Sequence, residues 1–478
     1  MEPSACHLAV DIGASSGRHI VGRVVDGRME LTEVYRFENG LTHRNGHLCW
    51  DIDALAEEVV RGLAAAKAAG FEPATIGIDT WAVDYVLLDE RDQRIGDVVG
   101  YRDARTDGVR DALELAGILS FDEHYARTGI QYQQFNTAYQ LCALSREDRA
   151  ELDSAKALLM VPDYLNWVLT GEKAQEYTNA STTGLVNAQT FDWDDELIDR
   201  LNLPWDIFKP IRMPGESLGR LRPEVAERVG YDAEVVLVAS HDTGSAWLAV
   251  PARDEKAVYF SSGTWSLVGV ERREPICTPQ SAAANFTNEG GYERRYRYLK
   301  NIMGLWMIQN VRRELGDMTG TAPSWNELVA AAEDARARGF HAVVDADDPE
   351  FLAPASMLAA LRDVCARSGQ PVPNTMGEYA LVVYDSLADD YARTVAQLRE
   401  LTGTDFTSIN IVGGGSNNGY LNQATADACG LPVFAGPTEG TALGNLMVQF
   451  ICGGEYASLE EARVAIKKSF EIKEYLPR

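Results

Sequence analysis

Four short segments of this 478-residue chain combine carboxylates, small hydroxyl residues and glycines in patterns suited to phosphoryl chemistry. Asp11-Ile12-Gly13-Ala14-Ser15-Ser16-Gly17 places an acid at the end of an apolar run, followed by a turn whose N–H groups can converge on an anion. An ordinary hairpin turn has the same composition. Ser261-Ser262-Gly263-Thr264 repeats the arrangement in the other half of the chain, and two such turns facing across a cleft would clamp one polyphosphate between two lobes. Gly413-Gly414-Gly415 lets flat groups approach the backbone because no Cβ intervenes, although a flexible turn reads the same way. It is not a dinucleotide fingerprint, since Asn418 stands where the last glycine belongs.

The fourth segment is an apolar run, Val235–Ser240, leading into His241-Asp242-Thr243-Gly244-Ser245. Asp242 there is either a helix N-cap or a reactive carboxylate with small neighbours. Phosphoryl transfer to a hydroxyl needs an acceptor for the hydroxyl proton, Mg²⁺ to neutralise the β- and γ-oxygens, and positioning. Asp242 suits the first role and Asp11 suits a holder of hydrated Mg²⁺.

Missing motifs narrow the chemistry. The chain has no Gly-Lys pair and hence no P-loop, no His-Arg-Asp catalytic loop, and no His-Glu-x-x-His helix among its seven isolated histidines. Its seven scattered cysteines include no Cys-x-x-Cys pair, so buried free thiols are expected rather than zinc or disulfides. Trp81, Trp265 and Trp306 read as core or pocket walls. Acidic residues number 71 against 44 basic ones, and a net charge of −27 argues against a nucleic-acid partner. A bound nucleotide would then be held by backbone N–H groups, single side chains and a divalent cation. No segment has the ~20 apolar residues of a membrane helix or the pattern of a signal peptide, so no membrane and a cytoplasmic location are expected.

The elements that must position these residues alternate between strand and helix, which makes the class α/β. At about 150 residues per domain, two large lobes fit the length, with boundaries at 1–250 and 251–478. The first opens as a meander: Leu8–Ile12, then His19–Val25 and Glu30–Phe37 around an Asp26-Gly27 turn. A helix capped by Asp51 or Asp53 runs to Gly70, and Thr75–Ile78 is a strand. The second restarts the plan with strands Ala257–Phe260 and Trp265–Val270, a long helix Tyr379–Leu401, a strand Ile409–Val412, and a helix Tyr420–Cys429 stopped by Gly430. Leu203–Val229 reads as a connecting region, and the acidic runs Asp192–Asp199 and Asp345–Glu350 as solvated surface.

Taken together, VDIGASSGR (Val10–Arg18), NGHLCWDID, IGIDTWAVD, YRDARTDG, LLMVPDYLNWVLTG, EYTNASTTGLVN, ASHDTGSA, SSGTWSLVG, NEGG, YLKNIMGLW, IVGGGSN and DACG resemble the FGGY carbohydrate kinases over nearly the whole chain. The resemblance implies a two-lobed, actin-like (ribonuclease H-like) ATPase fold with duplicated domains and a central cleft. It also implies ATP- and Mg²⁺-dependent transfer to the 1-hydroxyl of L-rhamnulose in L-rhamnose breakdown, with Asp242 as proton acceptor. By motif, Gly13, Ala14, Ser15, Ser16, Gly17, Thr264, Gln309 and Gly414 would bind ATP, and Ala82, His241, Asp242, Thr243 and Asn301 the sugar. Position 82 departs from the pattern, where glycine is usual; a methyl group in a tight pocket would cost about 1–3 kcal/mol, and a mild effect is expected. Another ketose such as L-fuculose or D-xylulose, and an actin-like ATPase with a structural or regulatory role, are the alternatives. Nothing in the residues indicates an oligomeric state.

Overall fold

The structure is a computed structural model that describes residues 5–352 and 354–478. The chain divides into two compact units. One comprises Met1–Ala249, Glu271–Tyr298 and Thr441–Ser469; the other comprises Val250–Val270, Leu299–Gly440 and Phe470–Arg478.

The first unit is built on a six-stranded sheet in the order Ser217–Arg220, Glu234–Val236, Thr75–Thr80, Cys6–Ile12, Ser16–Val25, Arg28–Glu38. Cys6–Ile12 is buried along its whole length, as a central strand is, with His7 and Asp11 the two polar side chains among apolar ones. The hairpin after it turns at Asp26 and Gly27, both at positive φ (49° and 72°), the two-residue geometry that matches strand twist. Asp51 caps the helix Ile52–Ala68 by accepting from the Ala54 N–H at 3.1 Å. Leu55, Val59, Val60 and Leu63 of that helix pack on Leu8, Val10, Ile76 and Ile78 of the sheet. Each such side chain contributes about 1.5–3 kcal/mol by burial. A separate core gathers Tyr85, Leu87, Leu141, Leu144, Leu158, Leu197 and Ile198.

Two expectations fail here. Leu203–Val229 is not a connector: Ser217–Arg220 is the edge strand of the sheet, and the helix Pro223–Val229 buries Val225 and Val229. Its proline and the following Gly230 are a helix start and a left-handed stop, not linker composition. Asp194, inside a supposedly solvated acidic run, is buried: it caps the helix Asp195–Arg200 and pairs with Arg127 at 2.8 Å.

The second unit repeats the strand plan. Ala257–Ser262 pairs antiparallel with Ser266–Arg272 and parallel with Ser408–Val412. Ser408–Val412 pairs parallel with Val433–Ala435, which pairs antiparallel with Lys473–Tyr475 at the edge. In the first unit Cys6–Ile12 pairs antiparallel with Ser16–Val25 and parallel with Thr75–Thr80, followed by parallel Glu234–Val236 and an antiparallel edge strand. The senses agree strand for strand, so the opening turns 13–17 and 261–264 occupy equivalent places. A capping box, Thr375 with Glu378, starts the long helix Met376–Thr402, and Gly403 at φ 64° ends it.

All seven cysteines are free; five are buried, Cys277 is half-buried and Cys452 is exposed. Trp81 is buried, but Trp265 is exposed and belongs to no core. Among the described residues no helix is long and apolar enough to cross a membrane.

Candidate active site

In the first unit, three strand ends bring the candidate residues together. Asp11 stands opposite Asp79 in the parallel register of their strands, and the Thr80 N–H donates to the Ser240 carbonyl at 2.9 Å. A parallel bridge between Thr80 and His241 continues that pairing. Trp81-Ala82-Val83-Asp84 therefore leaves its strand beside His241-Asp242-Thr243, and Ala82 is half-buried there. The regular strand covers only Glu234–Val236, shorter than the apolar run suggests. Asp242 is not an N-cap: His241 holds that position, and Asp242 opens the helix Asp242–Leu248 with Oδ1 accepting from the Thr243 N–H at 2.6 Å.

Burial, and next to it the charge of Asp11, push the Asp242 carboxyl up to about 7. The 28% of its side-chain surface left open lets water temper that lift. Asp79 is fully buried; burial and Asp11 hold its pKa well above the ordinary carboxylate value. Asn445 Nδ2 donates to its Oδ2 at 2.6 Å, and its Oδ1 has no hydrogen-bond partner among the described residues. Arg18 donates to Asp11 Oδ2 from Nε (3.1 Å) and Nη2 (2.9 Å). No cluster of three or more His, Cys, Asp or Glu able to hold a metal occurs among the described residues.

Two buried carboxylates, inside quoted segments but given no role by sequence reasoning, hold this ground in place. Asp84 accepts from Trp50 Nε1 (2.7 Å), Trp81 Nε1 (3.0 Å), the Tyr101 N–H (3.1 Å) and Gln140 Nε2 (3.0 Å). Beside it Val83 sits at φ 69°, rare for a β-branched residue, with its carbonyl fixed by Thr137 Oγ1 at 2.7 Å. Glu176 accepts from the Ser240 N–H (3.0 Å), Ser240 Oγ (2.6 Å) and the Thr178 N–H (2.8 Å). Glu289, in the NEGG segment but assigned no role, and Arg297, outside every quoted segment, adjoin His241. Asp79 and Asp84 bracket the motif that drew attention only to Ala82, so acids flanking that segment were the available signal. Nothing local marks Arg297.

The turn at 13–17 is closed by the Gly13 N–H donating to the Ser16 carbonyl at 2.9 Å, and Asn39 Nδ2 donates to the Gly13 carbonyl at 3.0 Å. Ser15 is exposed and Ala14 half-buried. Gly17 is obligatory for packing, since a Cβ there would lie 2.1 Å from the Phe37 ring. In the second unit, the Leu305 and Trp306 N–H groups donate to the Gly263 and Thr264 carbonyls at 3.0 and 3.1 Å. These bonds anchor the turn to the start of the helix Trp306–Thr319, and Thr264 Oγ1 lies 3.5 Å from Gln309 Oε1. Gly413 has φ 87°, and a Cβ on Gly415 would lie 2.0 Å from Ser262 Oγ. A Cβ on Gly414 would meet nothing within 4 Å. Thr264 and Gly414, on two adjoining loops, and Gln309, in the first turn of the helix Trp306–Thr319, thus belong to one unit. Asn418 caps the helix Gly419–Cys429. Asn301 is half-buried on the strand Tyr296–Ile302.

Models of the N-terminal and C-terminal domains of the FGGY family of carbohydrate kinases match residues 6–249 and 258–452. The chain belongs to that family. Among FGGY kinases, it is 49% identical over 469 residues to the rhamnulokinase of Halalkalibacterium halodurans, covering 98% of each chain. It is 47% identical to the rhamnulokinase of Oceanobacillus iheyensis, again over 98% of each. The ligand-bound xylulose kinase of Lactobacillus acidophilus superimposes with a TM-score of 0.82 over 99% of this chain and 94% of that one, at 17% identity. That likeness establishes the two-domain sugar kinase fold, in agreement with the duplicated strand plan.

Proposed function

We propose that this FGGY kinase transfers the γ-phosphoryl group of ATP to the 1-hydroxyl of L-rhamnulose, yielding L-rhamnulose 1-phosphate and ADP. The observation that carries this reading is identity near one half, over almost the entire length, to proteins named rhamnulokinase. Asp242 accepts the proton of the attacking hydroxyl; a carboxyl lifted toward 7 is a better proton acceptor than an ordinary aspartate and is still ionised at neutral pH in a large fraction of molecules. Ala82, His241, Thr243 and Asn301 contact the sugar in this reading. Gly13, Ala14, Ser15, Ser16, Gly17, Thr264, Gln309 and Gly414 bind the nucleotide in this reading, and the catalytic carboxylate belongs to residues 1–250.

A hard, oxygen-seeking divalent cation fits Asp11, opposite which Asp79 Oδ1 is buried without a hydrogen-bond partner among the described residues. Asp11 would hold Mg²⁺, and with so few carboxylates present water and phosphate oxygens would complete its coordination. Held at Asp11, such a cation would supply neutralisation of charge on the β- and γ-phosphate oxygens.

A coupled ADP-release assay across L-rhamnulose, L-fuculose and D-xylulose, with detection of the phosphosugar, tests the assignment. The highest kcat/KM is expected for L-rhamnulose. Preference for another ketose would reassign the substrate, and ADP release without sugar or phosphosugar would indicate an ATPase of another class.

A further inference from the structure

Arg297 is 1% exposed, and each of its nitrogens is engaged within the first unit. Nε donates to the Gly290 carbonyl at 2.9 Å, Nη1 donates to Thr243 Oγ1 at 2.7 Å, and Nη2 lies 3.0 Å from His241 Nδ1. A guanidinium has no acceptor, so Nδ1 must receive this bond and cannot itself carry the ring proton. Glu289 Oε2 is the competing partner: it is ion-paired with Nη2 at 3.0 Å and lies 3.4 Å from Nδ1, without hydrogen-bond alignment to the ring. The ring proton therefore sits on Nε2, which lies 3.1 Å from Thr243 Oγ1 and 3.5 Å from Asp242 Oδ1.

The consequence passes to Thr243. Its hydroxyl oxygen accepts from Arg297 Nη1 and from His241 Nε2, which occupies both acceptor positions and leaves its own proton to be donated outward. We propose that Arg297 is a positioning residue that fixes the protons of the sugar-side pair, holding His241 as the Nε2–H tautomer and Thr243 as a donor to an acceptor oxygen of the ligand. Burial and the adjacent guanidinium also hold His241 neutral at ordinary pH. The identity of the ligand as a ketose rests on the proposed function; the proton arrangement does not.

The test uses the full-length protein labelled with ¹⁵N-histidine, with His241 assigned by comparison with the His241→Gln variant. Long-range ¹H–¹⁵N spectra at neutral pH are expected to show Nδ1 as an unprotonated nitrogen and Nε2 as a protonated one; a protonated Nδ1 overturns the proposal. In Arg297→Gln the tautomer preference should weaken, and KM for the ketose should rise about tenfold to a hundredfold while KM for ATP stays within about twofold. Equal rises in both KM values, or an unchanged tautomer, would reduce Arg297 to a structural residue. Should the glutamine variant not fold, Arg297→Lys, which keeps the charge but cannot donate to Gly290, Thr243 and His241 together, is read in the same way. Absence of ketose turnover in the unaltered protein would sink the proposed function and leave the spectrum to decide the tautomer.

Discussion

The Ser262 hydroxyl fills the space that a Gly415 side chain would occupy: a Cβ on Gly415 would lie 2.0 Å from Ser262 Oγ. Two segments more than 150 positions apart in sequence are thereby packed as one surface, and the neighbouring Gly414 faces open space.

The two glycines should respond differently to the same change. Gly415→Ala collides with Ser262 and is expected to lower the melting temperature and raise KM for ATP together. Gly414→Ala meets nothing within 4 Å, so its melting temperature should hold while KM for ATP rises about fivefold or more. Thermal unfolding and ATP titrations at saturating sugar distinguish them; an unchanged KM for ATP in Gly414→Ala would remove that position from the nucleotide site.

Asp84 is the anchor of the segment that carries Ala82. Asp84→Ala leaves four donors without their acceptor, two of them buried indoles, and should cost about 3 kcal/mol or more. Asp84→Asn retains one acceptor oxygen for the three groups that converge on Oδ2, and a smaller loss is expected. Urea unfolding measures both; since asparagine leaves no cavity, equal losses would show that the one oxygen it retains does not stand in for the carboxylate, contrary to that expectation.

Asp242 also makes stability and activity respond oppositely to pH. Its folded-state pKa of about 7 exceeds the ordinary 3.8, so the native protein binds the proton more tightly than the unfolded chain. Stability contributed by this group therefore declines as pH rises between those two values, while the ionised base needed for turnover accumulates. The acid limb of kcat/KM should therefore lie at about pH 7, moved lower to the extent that a cation bound at Asp11 offsets the charge of that residue. Asp242→Asn is expected to melt at a higher temperature than the unaltered protein at pH 8; a lower melting temperature there would argue against a destabilising carboxylate.

Much of this arrangement was legible because it is local. The hairpin at Asp26-Gly27, the helix cap at Asp51 and the stop at Gly430 are dictated by a few adjacent residues, and the structure places them within a residue or two of expectation. Family motifs pointed at Asp242, His241 and Thr243 and, in the other unit, at Thr264, Gln309 and Gly414. What remained hidden depends on distant pairing. Ser217–Arg220 reads as linker because its composition does, and it becomes a strand only through Glu234–Val236. Arg297 is 56 residues from His241 and acquires its role from a fold contact that no spacing rule contains. Asp79, likewise, is defined by its register opposite Asp11 and by Asn445, 366 positions away.

The most direct measurement is single-turnover and steady-state phosphoryl transfer to L-rhamnulose by Asp242→Asn, alongside binding of ATP and sugar by calorimetry. Loss of the proton acceptor should lower kcat by about 10²-fold or more with both ligands still bound at nearly unaltered affinity. Turnover within a fewfold of the unaltered enzyme would contradict the role of Asp242 as the general base.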